Sequence, residues 1–376
     1  MKWIYQHKDW PAFHWDARLL STPLAKVRHQ QGCLSGRMAG LGFTLREEAS
    51  LNTLTYDVVK SSAIEGEKLD LAEVRSSIAR QLGIDQGGYI PSSRHVDGIV
   101  EMLLDATQVY QQPLTEQRLF GWHAALFPTG FSGLSPILTG MWRPPSAGLM
   151  QVISGAYGQS KVHFEAPAAE RLEEEMHLFL TWFEGEQRLD PVLKAAIAHF
   201  WFITIHPFED GNGRIARAIA DMALARADKA PQRFYSMSAQ IEAERKDYYQ
   251  QLENQQRGTL DITPWLSWFL GCMERALFSA EDTLQSVLFK TQVWQHLQTR
   301  QINERQRVVL NRILGEFEGF INTSKYAKMA KCSTDTALRD IRTLVDWGVL
   351  IQNPAKGRST SYRLVSDGEL LSGPGA

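Results

Sequence analysis

Several familiar signals are missing from this chain. Three cysteines (Cys33, Cys272 and Cys332) occur in 376 residues. They lie far apart and form no C-x-x-C pair, which argues against a disulfide framework and a thiolate zinc site. Neither sign of charge dominates: 40 basic residues face 42 acidic ones, for a formal net charge of -2. The chain as a whole is therefore no polyanion binder, and any nucleic-acid surface must be local. No run of 18 apolar residues occurs, so no membrane span is expected. The opening "MKWIYQHKDWPAFHWD" lacks the apolar region of a signal peptide. A cytoplasmic protein is the simplest expectation. No internal repeat and no low-complexity segment interrupts the chain.

Bulky apolar material is abundant, with 11 tryptophans and 17 phenylalanines. Apolar residues recur at i, i+3, i+4 spacing over 15–35, 45–60, 95–110, 114–127, 169–184, 191–205, 214–227, 239–255 and 262–295. That spacing predicts helices and a mostly α fold. Residues 128–168 break the pattern. They are rich in glycine and proline, with short β-like pieces "MWRPP", "MQVIS" and "KVHFEAP", and read as a loop and hairpin between helices. An irregular insert of this length in a helical domain is more often functional than accidental.

The C-terminal part changes character again. An amphipathic helix over 305–318 is followed by "NTSKYAKMAK" and "STDTALRDIRTLVDWGVL", each opened by Asn, Ser or Thr caps. "VLIQNPAKGRSTSYRL" then alternates like a hairpin. This order is that of a winged helix. Residues 301–366 carry eleven Lys and Arg against six Asp and Glu. Thr334, Thr336, Arg339 and Arg342 would lie on its recognition helix, with Lys356 and Arg358 at the wing tip. DNA is one expected partner; protein docking or dimerisation is the other use of such a module. The expected layout is an N-terminal helical module over 1–110, a core over 111–298 with its insert at 128–168, a winged helix over 299–366 and a disordered tail over 367–376.

The densest chemistry lies in "HPFEDGNGRIAR", residues 206–217. The apolar helix before it should be central, and Pro207 should end that helix at His206. Gly211 and Gly213 permit unusual backbone and close approach. A second helix follows, with Arg214 and Arg217 on one face of its first turns. Two guanidiniums at the positive end of a helix dipole make sense if an anion sits there, and a di- or triphosphate suits them. Asp210 offers a hard oxygen for Mg²⁺, shared with phosphate oxygens. Glu209 is a competing acid. His206 suits a general base. Neither the P-loop pattern G-x-x-x-x-G-K-[ST] nor a kinase signature is present.

At every defined position this stretch resembles the Fic family signature, H-P-F-x-[D/E]-G-N-G-R-x-x-R. The resemblance implies a helical Fic core with a β-hairpin flap that transfers AMP from ATP to a Ser, Thr or Tyr hydroxyl of a protein. His206 would deprotonate the target, and Phe208 would anchor the loop. Asp210 would hold Mg²⁺ against the α- and β-phosphates. Gly211 belongs to the same ATP-binding loop, Asn212, Gly213 and Arg214 would cradle those phosphates, and Arg217 would meet the γ-phosphate. The 128–168 insert corresponds to the flap, with Lys161, Val162 and His163 nearest the nucleotide. Tyr248 and Tyr249 of "DYYQQLENQ" are candidates for the adenine side, or are plain helix packing.

A second stretch, "SSAIEGE" (61–67), admits two readings. Ser62-x-x-Glu65 alone is a capping box. Ser61-x-x-x-Glu65-Gly66 resembles the family's inhibitory motif, in which the glutamate would pair with Arg217 and occupy the place of the γ-phosphate. Ser61 would then stabilise the helix bearing Glu65. The likeness extends to the N-terminal opening and to "AERKDYYQQLENQQRGTLDITPWLSWFL". It implies an autoinhibited adenylyltransferase acting on a protein hydroxyl, its own included, and working as a homodimer. Two alternatives are removal of AMP with Glu65 orienting water, and a DNA-binding regulator whose Fic core senses nucleotide.

Overall fold

The computed structural model describes residues 3–41, 43–84, 90–154, 161–186, 188–314, 319–354, 360–366 and 369. In chain order the helices before the insert are α1 (Ala17–Ala39), α2 (Phe43–Ile64), α3 (Leu71–Leu82), α4 (Arg94–Gln108) and α5 (Glu116–Leu126). The insert holds β1 (Phe131–Ser132), β2 (Ser135–Pro136), β3 (Gln151–Ser154) and β4 (Lys161–Glu165). After it come α6 (Leu172–Gly185), α7 (Pro191–Ile205), α8 (Asn212–Asp228), α9 (Met237–Ala243), α10 (Arg245–Gln256) and α11 (Thr263–His296). The last elements are α12 (Glu304–Ile313), α13 (Thr323–Ala330), α14 (Thr334–Asp346), β5 (Leu350–Gln352) and β6 (Tyr362–Leu364). The chain divides into two compact units, residues 1–280 and 281–376.

In the first unit, α7 is the central helix. Asp190 caps it by accepting from Val192 N, and Pro191 takes the first helical position, where no N–H is missed. From Val192 to Ile205 every side chain except Lys194 is buried. Such a helix has no polar face to offer water and must be surrounded. It packs most extensively on α8, with α6 alongside. Trp265 of α11 donates from its indole to Ala196 O (2.8 Å). Helix α2 packs on α3 and α9, and α4 on α5 and α8.

Two helical features differ from the sequence expectation. Helix α3 was not signalled by a run of large apolar residues, because Ser76, Ser77 and Ala79 make up most of its buried face. Its ends are nonetheless marked, by the Asp70 cap and by Gly83 in the left-handed conformation. The stretch 239–255 is two helices, broken at Glu244.

The insert forms two antiparallel pairs, β1 with β2 and β3 with β4. "MQVIS" and "KVHFEAP" supply β3 and β4, but "MWRPP" forms no strand. Pro144 and Pro145 have no N–H to give a ladder, and Arg143 is drawn into the interior at 2% exposure. The N-terminal residues brace this insert. Trp3 and Tyr5 meet Phe164 of β4 edge-on, and the Tyr5 hydroxyl donates to Ala166 O (3.3 Å).

The second unit, described by itself, contains α12, α13, α14 and the antiparallel pair β5–β6, with a bridge between Ile321 and Tyr362. Val309, Leu310, Tyr326, Ile341, Leu344 and Val349 fill its core. Ser333 caps α14 by accepting from Thr336 N, so Thr336 belongs to the cap. Thr334, Arg339 and Arg342 are exposed. Lys356 and Arg358 lie outside the described residues. Of the 367–376 tail only Glu369 is described, and it pairs with Arg363 (2.6 Å). Among the described residues no helix is long and apolar enough to cross a membrane.

A buried ion network joins α2 to α8. Arg233 reaches Asp57 of α2 (3.1 Å) and Asp221 of α8 (2.6 Å), and Ser236 donates to Asp57 (2.5 Å). All three charged side chains are 3% exposed or less. Burial, with Asp221 beside it, pushes the Asp57 carboxyl up to about 7, against the pull of Arg233. Removing one partner from such a network leaves buried charge uncompensated, so Arg233→Ala should cost about 3–5 kcal/mol. Urea unfolding of the variant checks this, and a loss within the usual surface range of about 0.5 kcal/mol would contradict it.

Candidate active site

Helix α7 ends as its sequence requires. His206 takes the left-handed conformation (φ 53°), with its N–H still donating to Phe202 O (3.0 Å). His206 Nδ1 lies 3.1 Å from Ile203 O. A carbonyl only accepts, so Nδ1 carries the proton and the Nε2 lone pair is available. Burial pulls the imidazole down to about 4, against the Ile203 carbonyl, and Arg143 adds to the depression. The ring is therefore neutral near pH 7, the state a base needs.

The loop beyond His206 is held from inside. Phe208 is fully buried and stacks on the His123 ring at 4.1 Å. Asn212 is also buried, and its amide staples the loop by accepting from Phe208 N and donating to Phe208 O, both 2.9 Å. Its side-chain oxygen and one amide hydrogen are thus committed to the loop.

The insert grips the same loop from outside. The Ser132 hydroxyl donates to Asp210 Oδ2, and Leu138 N donates to Glu209 Oε2 (2.8 Å). Arg143 donates from Nε to His206 O (2.8 Å), from its own N to Pro207 O (2.9 Å) and from Nη2 to Pro167 O (2.5 Å). Both acids of the loop thus accept hydrogen bonds, Glu209 from Leu138 and Asp210 from Ser132. Asp210 also caps Gly211 N through Oδ1 (2.6 Å).

Helix α8 starts at Gly211 (φ 78°) with no side-chain cap. Two guanidiniums stand on its first turns, and both are already met by carboxylates from the end of α2. Arg217 Nη2 lies 2.8 Å from Glu65 Oε1. Arg214 Nη1 lies 3.1 Å from Glu67 Oε2. Burial works against the Arg217 charge, but Glu65 outweighs it and the guanidinium is held above its ordinary range. Arg214 Nε and Arg217 Nη1 are buried with no hydrogen-bond partner among the described residues. A Cβ on Gly213 would overlap Glu65 Oε1, so only glycine lets the carboxylate come this close to the helix start.

The α2 end corrects two expectations. Ser62 and Glu65 form no capping box, because they lie at the C-terminal end of a helix that starts at Phe43, and Ser62 Oγ is buried with no hydrogen-bond partner among the described residues. Ser61 acts on the arginine itself: its hydroxyl accepts from Arg217 Nε and its carbonyl from Arg217 Nη2, both 2.9 Å. Gly66 (φ 88°) turns the chain back, with Glu67 N donating to Ser62 O (3.0 Å). That reversal aims residues 65 and 67 at the same helix end.

The two tyrosines separate. Tyr248 is 1% exposed, with its hydroxyl 2.9 Å from His199 Nε2, among Trp265 and Trp268; it is core packing behind Arg217. Tyr249 is 37% exposed and donates to Ile64 O (3.1 Å), with Glu65 Oε2 at 3.4 Å. On β4, Lys161 and His163 pair with Glu253 of α10 (3.1 and 2.5 Å). Val162 O accepts from Arg257 Nη2 (2.7 Å). Their polar groups thus fasten the hairpin to the helix that bears Tyr249. Sequence reasoning missed Glu67, Ser132, Arg143 and Glu253. Only Glu67 had a local signal, its place two residues beyond Glu65 in an acidic turn.

In an NMR titration, with His206→Ala used to assign the resonance, His206 should change protonation near pH 4. A midpoint near 6.5 would contradict the tautomer and desolvation argument.

Comparison with known proteins agrees with this geometry. Residues 113–224 match the profile of the Fic/DOC family, and residues 3–84 match a domain of unknown function (DUF4172). "Protein adenylyltransferase Fic" of Nematostella vectensis is 33% identical over 144 residues, which cover 37% of this chain and 30% of that protein. The protein of the same name from Aedes aegypti is 27% identical over 232 residues, 58% of this chain and 40% of that one. The chain thus spans well under half the length of these relatives. A crystal structure of a Fic family protein from Desulfovibrio desulfuricans G20 has the same fold, with a TM-score of 0.52 and 21% identity over 94% of this chain and 98% of that one. Fold, loop and profile agree that this chain carries a Fic/DOC family domain.

Proposed function

We propose that the chain is an autoinhibited protein adenylyltransferase that moves AMP from ATP to a Ser, Thr or Tyr hydroxyl of a protein. The observation that carries this reading is a neutral His206 beside an uncapped helix start bearing two arginines with unfilled donors. The relatives named as protein adenylyltransferases support the reaction class.

The target hydroxyl oxygen attacks the α-phosphorus, its proton passes to His206 Nε2, the bond from that phosphorus to the β-phosphate bridging oxygen breaks, and pyrophosphate leaves. Main-chain N–H groups of Asn212 and Gly213, with Arg214, face the α- and β-phosphates, and Arg217 faces the γ-phosphate. Among the described residues no group of three acidic, histidine or cysteine side chains could hold a metal alone. That fits a Mg²⁺ carried in with the phosphates and met by the single carboxylate of Asp210. Such an ion would supply charge neutralisation on the phosphates. The β3–β4 pair is two strands wide, so it offers an edge for an extended target segment.

Inhibition follows from Glu65. One carboxylate on Arg217 stands where the γ-phosphate must bind, so ATP enters in an unproductive pose. Ser61 and Tyr249 hold that arrangement from either side. For the second unit we propose a winged helix, with DNA contact through Thr334, Arg339 and Arg342; a salt-dependent shift of random duplex DNA tests it, and no binding at low salt removes it.

The test is transfer from α-labelled ATP with Mg²⁺. Glu65→Gly should label protein on the order of tenfold or more faster than the wild type, a typical size for releasing a coupled block, and His206→Ala in that background should abolish labelling. Labelling that survives His206→Ala overturns the mechanism. No labelling by Glu65→Gly, with AMP released from a modified target by the wild type and not by Glu65→Gly, would favour the reverse reaction.

A further inference from the structure

Each arginine at the start of α8 is met by a carboxylate, and the inhibition through Glu65 uses only one of the two. Glu67 lies two residues beyond Glu65 and takes Arg214, not Arg217. The Gly66 turn is what brings both carboxylates to one helix end. Glu67 is held on its other side as well, where Oε1 pairs with His95 Nε2 on α4. The His95 hydrogen bond comes first among the influences that keep the Glu67 carboxyl below its ordinary range, and the Arg214 charge adds to it. Glu67 is thus a fixed anion braced between two helices. The Arg214 side chain is 7% exposed and rests over the Phe127 ring (5.1 Å), so it has little room to leave. Its Nε is buried with no hydrogen-bond partner among the described residues, and the carboxylate satisfies one edge of the guanidinium only.

In the proposed adenylyltransferase, Arg214 and Arg217 serve different parts of the nucleotide. Resting on that reading, we infer that Glu67 is a second competitor, which opposes the diphosphate portion of the nucleotide at Arg214 and sets the affinity for nucleoside diphosphates and triphosphates alike, separately from Glu65. A bound diphosphate takes Arg214 from Glu67, which stays with His95. Removing Glu65 alone frees the γ-phosphate position and leaves this second opposition in place.

ADP separates the two carboxylates, because it has no γ-phosphate. Calorimetric titration with ADP and Mg²⁺ compares the wild type, Glu67→Gln, Glu65→Gly and the double variant. Glutamine keeps the size of the side chain and can accept from His95, but removes the charge. Glu67→Gln should tighten ADP by about tenfold, within the usual range for coupled sites, with or without Glu65. Glu67→Ala is titrated alongside, since glutamine can still accept from Arg214, and unchanged unfolding temperatures show that the variants are folded. If all proteins bind ADP and neither Glu67 variant tightens it, the role of Glu67 is overturned. Tightening in one background only would mean that Glu67 acts through Glu65, which also contradicts it. Binding of ADP by none of the proteins would overturn the nucleotide reading instead.

Discussion

The positive end of α8 is the constraint around which the first unit is arranged. Two arginines stand on the opening turns of a helix whose dipole already favours negative charge there, and Gly211 supplies no side-chain cap. Such an end needs an anion. In this chain the anions are the protein's own: Glu65 on Arg217 and Glu67 on Arg214. Much of the surrounding structure delivers those carboxylates or keeps the arginines in place.

Delivery depends on α2 and the turn at its end. The Asp57–Arg233–Asp221 network ties α2 to α8 in the interior. Gly66 then reverses the chain, and Gly213 leaves space for the Glu65 carboxylate. The segment whose carboxylates meet the two arginines is therefore built into the same core as the site. The catalytic loop is fixed in a comparable way. Phe208 and Asn212 hold it from within, while Ser132, Leu138 and Arg143 of the insert hold it from without. His206 is left with one nitrogen committed to Ile203 and the other available.

Much of this was legible in the sequence, for reasons that are local. The mostly apolar run 191–205 followed by His-Pro specified a buried helix ending at the imidazole. The paired arginines announced an anion before any partner was in view. The resemblance of the Ser61–Gly66 stretch to the family's inhibitory motif, not a local physical signal, implied Glu65 as that partner. The rest depended on distant contacts. Nothing near Arg143 or Ser132 says that they reach the His206 loop, since those contacts span 63 and 78 residues. Tyr248 and Tyr249 are neighbours in sequence, yet successive helical positions face different ways, so one is core and the other meets Glu65. Ser62–Glu65 fits a capping box in spacing, and only the direction of α2 rules it out. Helix α3 escaped notice because it buries serines in place of large apolar groups.

The most direct test of the central claim is a crystal structure of Glu65→Gly with ATP and Mg²⁺. The triphosphate should lie at the start of α8, within hydrogen-bonding distance of Arg214 and Arg217, with its α-phosphorus facing His206 Nε2. A nucleotide bound away from α8, with both arginines still turned from its phosphates, would contradict the claim.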